Sequence, residues 1–383
     1  MTRIFIIAGE ASGDVLGARL MAALREARPD LHFSGIGGAR MAAAGLASLF
    51  PMQDLAVMGL AEILPRLGLL RRRLAETLAA IRAAAPEILV TIDSPGFCLR
   101  VLRAIGPGGP KRVHYVAPQV WAWRQGRVRH FPGLWDELLC LLPFEPEFFA
   151  PHGLNPVFTG HPVLESGADR GDAARFRARH KLPAEAVPVV LMPGSRATET
   201  GRLLPIFRQT LELLRPQIPA LAPVVAAASG IDGVVAAHAE QWPVRPIIIR
   251  EADERYDAFA AARAALTKSG TSTLELAMAG VPMAVTYRVN PVSAALGRRL
   301  IKVPHVAMIN LLAKRALVPE LLQADCRPDM LAGTVLGLLR DPAQVAAQRA
   351  GFGHALASLR PPQGTASAAA ARAVLRVLAG ERA

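Results

Sequence analysis

Residues 264–287 read AALTKSGTSTLELAMAGVPMAVTY. An apolar run ends at Lys268, a loop of hydroxyls and glycine follows, then an apolar helical pattern, then a second apolar run. Strands that are apolar without interruption and separated by helices belong to parallel sheets covered on both faces. The loop Ser269, Gly270, Thr271, Ser272, Thr273 lies just ahead of the helix. Free N–H groups at a helix start, with the helix dipole behind them, bind anions. Gly270 permits close backbone approach, and the hydroxyls add donors. Ser272 and Glu275 also have capping-box spacing, which needs no ligand. Both readings stay open; Lys268 beside the loop favours phosphate.

The same rhythm extends outward in both directions. Apolar runs at 3–8, 87–92, 112–117 and 137–142 form one series, and runs at 188–192, 223–229, 245–249, 264–267 and 282–287 form another. A chain of 383 residues is too long for one core. The expectation is an α/β protein of two doubly wound, Rossmann-like domains facing each other across a cleft. Residues 1–165 form the first and 166–345 the second, divided in the glycine-, proline- and charge-rich stretch 158–175. Helical residues 346–383 are free to pack back on the first domain.

Ligands of such sheets sit at the carboxyl ends of strands, where the remaining motifs fall. LMPGSRATE at 191–199 turns at Pro193-Gly194 and leads through Ser195 and Arg196 to a helix. An arginine there suits a diphosphate, or is a surface side chain after an ordinary turn. AGEASGD at 8–14 lacks dinucleotide glycine spacing. Its Glu10 and Asp14 would repel phosphate, so it is expected to face sugar hydroxyls, with Ser12 as contact or helix cap. GIGG at 35–38 is a close-approach loop without assigned chemistry. EILVTIDSPGF at 87–97 places Asp93 at a strand end. Partial burial would raise its pKa towards that of a useful general base; alternatively it bonds turn amides.

YVAPQVWAWRQGR at 115–127 sets Gln119 and Trp121 among arginines, as substrate wall or packing. In 57–78, Leu60, Ile63, Leu64, Leu67 and Leu70 lie near Arg71, Arg72 and Arg73. An apolar face beside clustered arginine suits an anionic membrane surface, although core packing is the commoner cause. Pro65 is expected to kink this segment or split it in two. No His/Cys cluster or paired-carboxylate pattern argues for a metal. Net charge of +13, from 44 basic and 31 acidic residues, favours anionic partners. The charge is spread along the chain and no nucleic-acid module is present. Three separated cysteines fit a reducing compartment.

Taken in order, AGEASGD, VMGLAEIL, DSPGF, YVAPQVWAWRQGR, MPGSR, SGTSTLELA and NLLAKRALVPELLQ resemble the lipid-A-disaccharide synthases, a family of the B-type glycosyltransferase fold. The resemblance runs from residue 3 to about 325; Ile309 stands before Asn310, where the family pattern has proline. It implies a metal-independent inverting transferase that needs no cofactor and joins UDP-2,3-diacylglucosamine to 2,3-diacylglucosamine 1-phosphate (lipid X). It implies UDP on Gly194, Ser195, Arg196 and the 269–273 loop, with Glu275 at ribose. It further implies Asp93 as base and Asn310 as a residue important for activity; the acceptor and cleft region is expected around Glu10, Ser12, Gln119 and Trp121. The expected setting is the cytoplasmic face of the inner membrane, bound peripherally, with a homodimer compatible and nucleic acid excluded.

Overall fold

The computed structural model describes residues 2–55, 60–106, 108–227, 231–290, 294, 297 and 300–381. The chain divides into two compact units, one running to Pro162 and resuming at Leu359, the other Val163–Ser358. Among the described residues each unit holds a six-stranded parallel sheet.

In the first unit the strands are β1 (Thr2–Ala8), β2 (Leu31–Ile36), β3 (Ile88–Ile92), β4 (Lys111–Tyr115), β5 (Glu137–Cys140) and β6 (Pro156–Phe158). Helices α1 (Ala11–Ala27), α2 (Ala39–Ala43), α3 (Leu60–Ala84), α4 (Pro95–Ile105) and α5 (Glu145–Phe149) connect them. Every residue of β3 is buried, as an uninterrupted ILVTI run requires of a strand covered on both faces. The order β2-β1-β3-β4-β5-β6 reverses direction between β1 and β3. Gly35 also bridges in parallel to Ser48, which carries the pattern one position beyond β2.

The second unit contains β7 (Val187–Met192), β8 (Leu221–Ala226), β9 (Ile247–Ile249), β10 (Ala264–Lys268), β11 (Met283–Tyr287) and β12 (Glu320–Leu322). Its helices are α6 (Ala173–Arg179), α7 (Ala197–Leu214), α8 (Asp232–Ala239), α9 (Ala252–Ala261), α10 (Ser272–Met278), α11 (Met308–Ala313), α12 (Pro328–Arg340) and α13 (Pro342–Ala357). The order β12-β11-β10-β7-β8-β9 is the dinucleotide-fold order and reverses between β7 and β10. Leu203, Leu204, Phe207, Leu211 and Leu214 of α7 and Leu331, Val335 and Leu338 of α12 build its core on one sheet face.

The last helix, α14 (Ala366–Ala379), belongs to the first unit. Thr365 caps its start by accepting from the Ala368 N–H at 3.2 Å, and Gly380 ends it at φ 86°. Ala370, Ala371, Ala373, Val374 and Val377 join the core formed by β1, β3 and α1. Residues 346–358 do not travel with it: α13 stays on the second unit, where Gln348 bonds both N–H and C=O of Met283.

Two local expectations change. Helix α3 continues through Pro65 as one element. Pro65 is its sixth residue, so the ring removes one bond, to the carbonyl four back, near an end already short of partners. Three strands lacked an apolar signature: β2 has His32, Ser34 and Gly35, β6 opens on a proline, and β12 is three residues long. Gly35 in β2 has φ 144°, and a Cβ there would come within 1.9 Å of the Ile6 carbonyl oxygen. Gly35→Ala is therefore expected to destabilise the protein by about 3 kcal/mol, read as a lowered urea midpoint; an unchanged midpoint would contradict the Ile6–Gly35 register.

Candidate active site

At the end of β3 the chain turns through two consecutive left-handed residues, Asp93 (φ 49°) and Ser94 (φ 46°). Neither is glycine, and such a pair persists only where its surroundings fix it. The Asp93 N–H donates to the Tyr115 carbonyl at 2.9 Å, and the Phe97 and Cys98 N–H groups reach the Ser94 carbonyl at 3.0 Å. Pro95 opens α4 directly behind. From the neighbouring loop Gly9 leaves the space that Ser94 occupies, since a Cβ on Gly9 would lie 2.3 Å from Ser94 Oγ. The sharp turn sets Asp93 at the sheet's carboxyl edge. Burial raises its carboxyl above the usual aspartate range, and the Ser94 backbone N–H offsets this only in part.

Glu10 joins this neighbourhood. Burial, then the charges of Asp93 and Glu10, push the Cys98 thiol up. Asp14, expected to face a sugar, turns inward instead. Its carboxylate accepts from the N–H groups of Gly38, Arg40 and Met41 at 2.8, 2.9 and 3.0 Å, and so caps α2. GIGG thus gains its reason: Gly38 gives Asp14 room, as a Cβ there would sit 2.6 Å from the carboxylate. Ser12 is exposed, and α1 has no side-chain cap.

Gln119 is exposed, but Trp121 is buried. Its indole N–H donates to Glu145 at 3.0 Å, and its ring meets Phe144 edge-on. Glu145, unremarked in the sequence, also accepts from the N–H groups of Leu141 and Leu142, and burial pushes its carboxyl up to about 7. Trp121 is therefore an internal anchor, and Trp123, 41% exposed beneath Arg124, is the outward indole.

On α3, Leu67 and Leu70 are half-buried and Arg71 and Arg72 exposed. Arg73 turns away from solvent, at 17% exposure, to bond Asp54 and Glu76 over the ring of Phe50. It is a clamp rather than a free cation. Residues 56–59 and the side chains of Leu60, Ile63 and Leu64 lie outside the described residues. Among the described residues no helix is long and apolar enough to cross a membrane.

In the second unit the motifs converge on the β7/β10 reversal. Gly194, at φ 107°, turns the chain after β7; Ser195 and Arg196 are exposed, and Arg196 is the residue before α7. Arg196 Nη1 lies 3.0 Å from Glu199 in the first turn of that helix. From the adjacent strand end, Lys268 reaches the other oxygen of the same carboxylate at 3.3 Å. Behind Lys268, the Ser269 hydroxyl donates to the Val306 carbonyl at 2.7 Å, and Thr273 to the Gly270 carbonyl at 2.8 Å. Ser272 Oγ lies 3.1 Å from Thr267 Oγ1 and caps nothing, while Thr271 takes the cap position without a side-chain bond. The capping-box reading fails accordingly: Glu275 accepts from Arg255 at 3.2 Å and from the Tyr256 hydroxyl at 3.0 Å.

Asn310 is fully buried. Its amide donates to the Val318 carbonyl at 2.9 Å and to Glu320 at 2.8 Å, and accepts from the Val318 N–H at 2.9 Å. Glu320 also holds the N–H groups of Val306 and Ala307 at 3.0 Å. Asn310 thus acts at one remove, through Glu320 and Val306, on the hydroxyl of Ser269. Sequence reading did not single out Glu320, although it stands within the NLLAKRALVPELLQ motif as a carboxylate opening a very short strand.

Truncating Glu320 to alanine strands three N–H donors. The expected loss is about 2–4 kcal/mol of stability, of the size reported for unsatisfied buried donors, with Glu320→Gln recovering part of it in a thermal melt. Equal melts for wild type and Glu320→Ala would remove the hub.

Comparisons with known proteins bear on the family and the fold. The family model described as lipid-A-disaccharide synthetase matches residues 4–374. A lipid-A-disaccharide synthase of Gluconobacter oxydans is 59% identical over 98% of this chain and 90% of that protein. One from Granulibacter bethesdensis is 57% identical over 98% of both. Among solved structures, a Neisseria meningitidis UDP-GlcNAc 2-epimerase bound to UDP-GlcNAc superposes with TM-score 0.66 at 9% identity, covering 99% of this chain and all of that one. A kitacinnamycin glycotransferase superposes at 0.63 with 17% identity, covering 98% of each chain. These low identities speak for the fold alone, whereas the match along nearly the whole sequence does more: the chain belongs to the lipid-A-disaccharide synthetase family.

Proposed function

We propose that the protein transfers 2,3-diacylglucosamine from UDP to the 6-hydroxyl of lipid X, giving the β-1,6-linked disaccharide 1-phosphate and UDP. The observation that carries this reading, beside family membership, is the pair of strand-order reversals. One is topped by a half-buried carboxylate with a raised pKa, the other by a glycine turn with cations.

The first unit supplies the base. Asp93 takes the proton of the acceptor 6-hydroxyl as the oxygen attacks donor C1 and the bond from C1 to the diphosphate oxygen breaks. In-line displacement inverts that carbon. A base with a raised pKa retains its proton to higher pH, but accepts one from a hydroxyl more readily once ionised. The second unit supplies the electrophilic side. Arg196 and the N-terminus of α7, with the backbone of 194–195 and 269–273, meet the negative charge of departing UDP. Glu275, oriented by Arg255 and Tyr256, accepts from a ribose hydroxyl. Asn310 serves as a positioning residue for Ser269 and the diphosphate loop. Glu10 and Gln119 remain at the acceptor end, and Trp121 supports them from within.

Both substrates carry acyl chains, so the enzyme must work at a bilayer. The reading places it peripherally on the cytoplasmic face of the inner membrane, with α3 presenting Leu67, Leu70, Arg71 and Arg72 to an anionic surface. Arg73 has no part in that contact. Exchanging Leu67 and Leu70 for serine is expected to reduce co-sedimentation with anionic vesicles while turnover in detergent persists; unchanged co-sedimentation removes this surface.

Asp93→Asn is expected to lower kcat by roughly 10²–10⁴-fold with UDP affinity unchanged. In the wild type, kcat/KM should rise with pH through a midpoint above the ordinary aspartate value of about 4, because the raised carboxyl is still protonated, and idle, at that pH. The limb should vanish in the variant; near-normal turnover there would exclude Asp93 as base.

A further inference from the structure

Two cations, from loops on either side of the β7/β10 reversal, share one carboxylate. Glu199 has 8% side-chain exposure, with one oxygen on Arg196 at 3.0 Å and the other on Lys268 at 3.3 Å. Lys268 also lies over the Tyr287 ring, 5.5 Å from its centre. Burial lowers the Lys268 ammonium from its ordinary value; Glu199 counters this, and the nearby Arg196 charge adds to it. The two cations therefore sense each other. Gly194 turns the chain beside them, and a Cβ on it would approach Glu199 to 3.1 Å.

A glutamate in the first turn of a helix is ordinarily explained by the helix dipole. Glu199 does more than that explanation requires. It reaches across to the neighbouring strand end and pairs with both cationic side chains there, offsetting one of their two charges. A carboxylate in that position occupies the electrostatic place of a phosphate.

We propose that Glu199 is a resident stand-in for the donor's diphosphate, and that Lys268 is a second cationic ligand of that group. The proposal rests on the reading of residues 194–196 and 268–273 as the diphosphate site. Without nucleotide, Glu199 keeps two close cations from repelling each other and holds the loops in their working shape. The donor brings two negative charges and several acceptor oxygens, and displaces the single carboxylate from both cations. Once the sugar has left, UDP carries a further negative charge. Glu199, still beside the site, then competes for the same cations and hastens release.

The sign of one substitution separates this from a positioning role. Titrating full-length Glu199→Gln with UDP by calorimetry should give a Kd roughly fivefold lower than wild type, the size of one partly exposed ion pair. The gain should shrink in the Lys268→Met background, where Glu199 has one cation fewer to withhold. Weaker or unchanged UDP binding by Glu199→Gln would overturn the stand-in and make the carboxylate an orienting group. Arg196→Ala keeps the two readings apart. If it loses UDP while Glu199→Gln also weakens, the diphosphate site stands and the stand-in falls. If it leaves UDP affinity unaltered, both fall. Should Glu199→Gln not fold, Lys268→Met alone decides: about tenfold weaker UDP binding, as for one charge-assisted contact, supports the proposal, and unchanged affinity overturns it.

Discussion

Each sheet is parallel throughout, so all its strands end on the same edge, and each reverses its build direction once. At a reversal the two flanking connections leave towards opposite sheet faces and open a crevice between neighbouring strand ends. That constraint decides where chemistry can be placed. Gly9 and Ser94 meet at one reversal, Gly194 and Lys268 at the other. The first contact needs a glycine because a Cβ on Gly9 would strike the Ser94 hydroxyl at 2.3 Å, whereas at the second it is the backbone of Gly194, at φ 107°, that requires glycine. The consecutive left-handed residues at 93–94 show what the first arrangement demands of the backbone. The second is less strained, because glycine itself takes the unusual dihedral at 194.

Around these crevices the protein repeats one device: a buried or half-buried carboxylate from one element gathers N–H groups of another. Asp14 does so for α2, Glu145 for the turn after β5 and for Trp121, and Glu320 for residues 306–307 and Asn310. A carboxylate accepts several hydrogen bonds at once and therefore fixes a loop more economically than neutral side chains do. The same chemistry makes these acids poor candidates for substrate contact, since their lone pairs are already engaged.

Fold class was legible because the central strands are buried on both faces and so appear as unbroken apolar runs. The strands that escaped detection are peripheral or short: β2 tolerates His32 and Ser34, β6 starts with Pro156, and β12 is three residues long. Strand-end loops could be located because the rhythm of strand and helix places them. Orientation was not legible. Nothing in the order of letters distinguishes Asp14, turned inward to cap a helix, from the half-buried Glu10 four residues earlier. Arg71 and Arg73 are likewise alike in sequence, yet one is exposed and the other clamped between Asp54 and Glu76. Trp121 and Trp123 repeat that contrast. Side-chain direction depends on partners distant in sequence, such as Glu145, that carry no signature of their own.

The closing helix α14 fills the core of the first unit, and Arg376 fastens it by bonding both oxygens of Glu137 at the start of β5. A growing chain emerges from the ribosome in order, so the first unit waits with an apolar face uncovered while all of the second is made. During that interval the nascent protein offers chaperones a binding surface that the finished one has hidden.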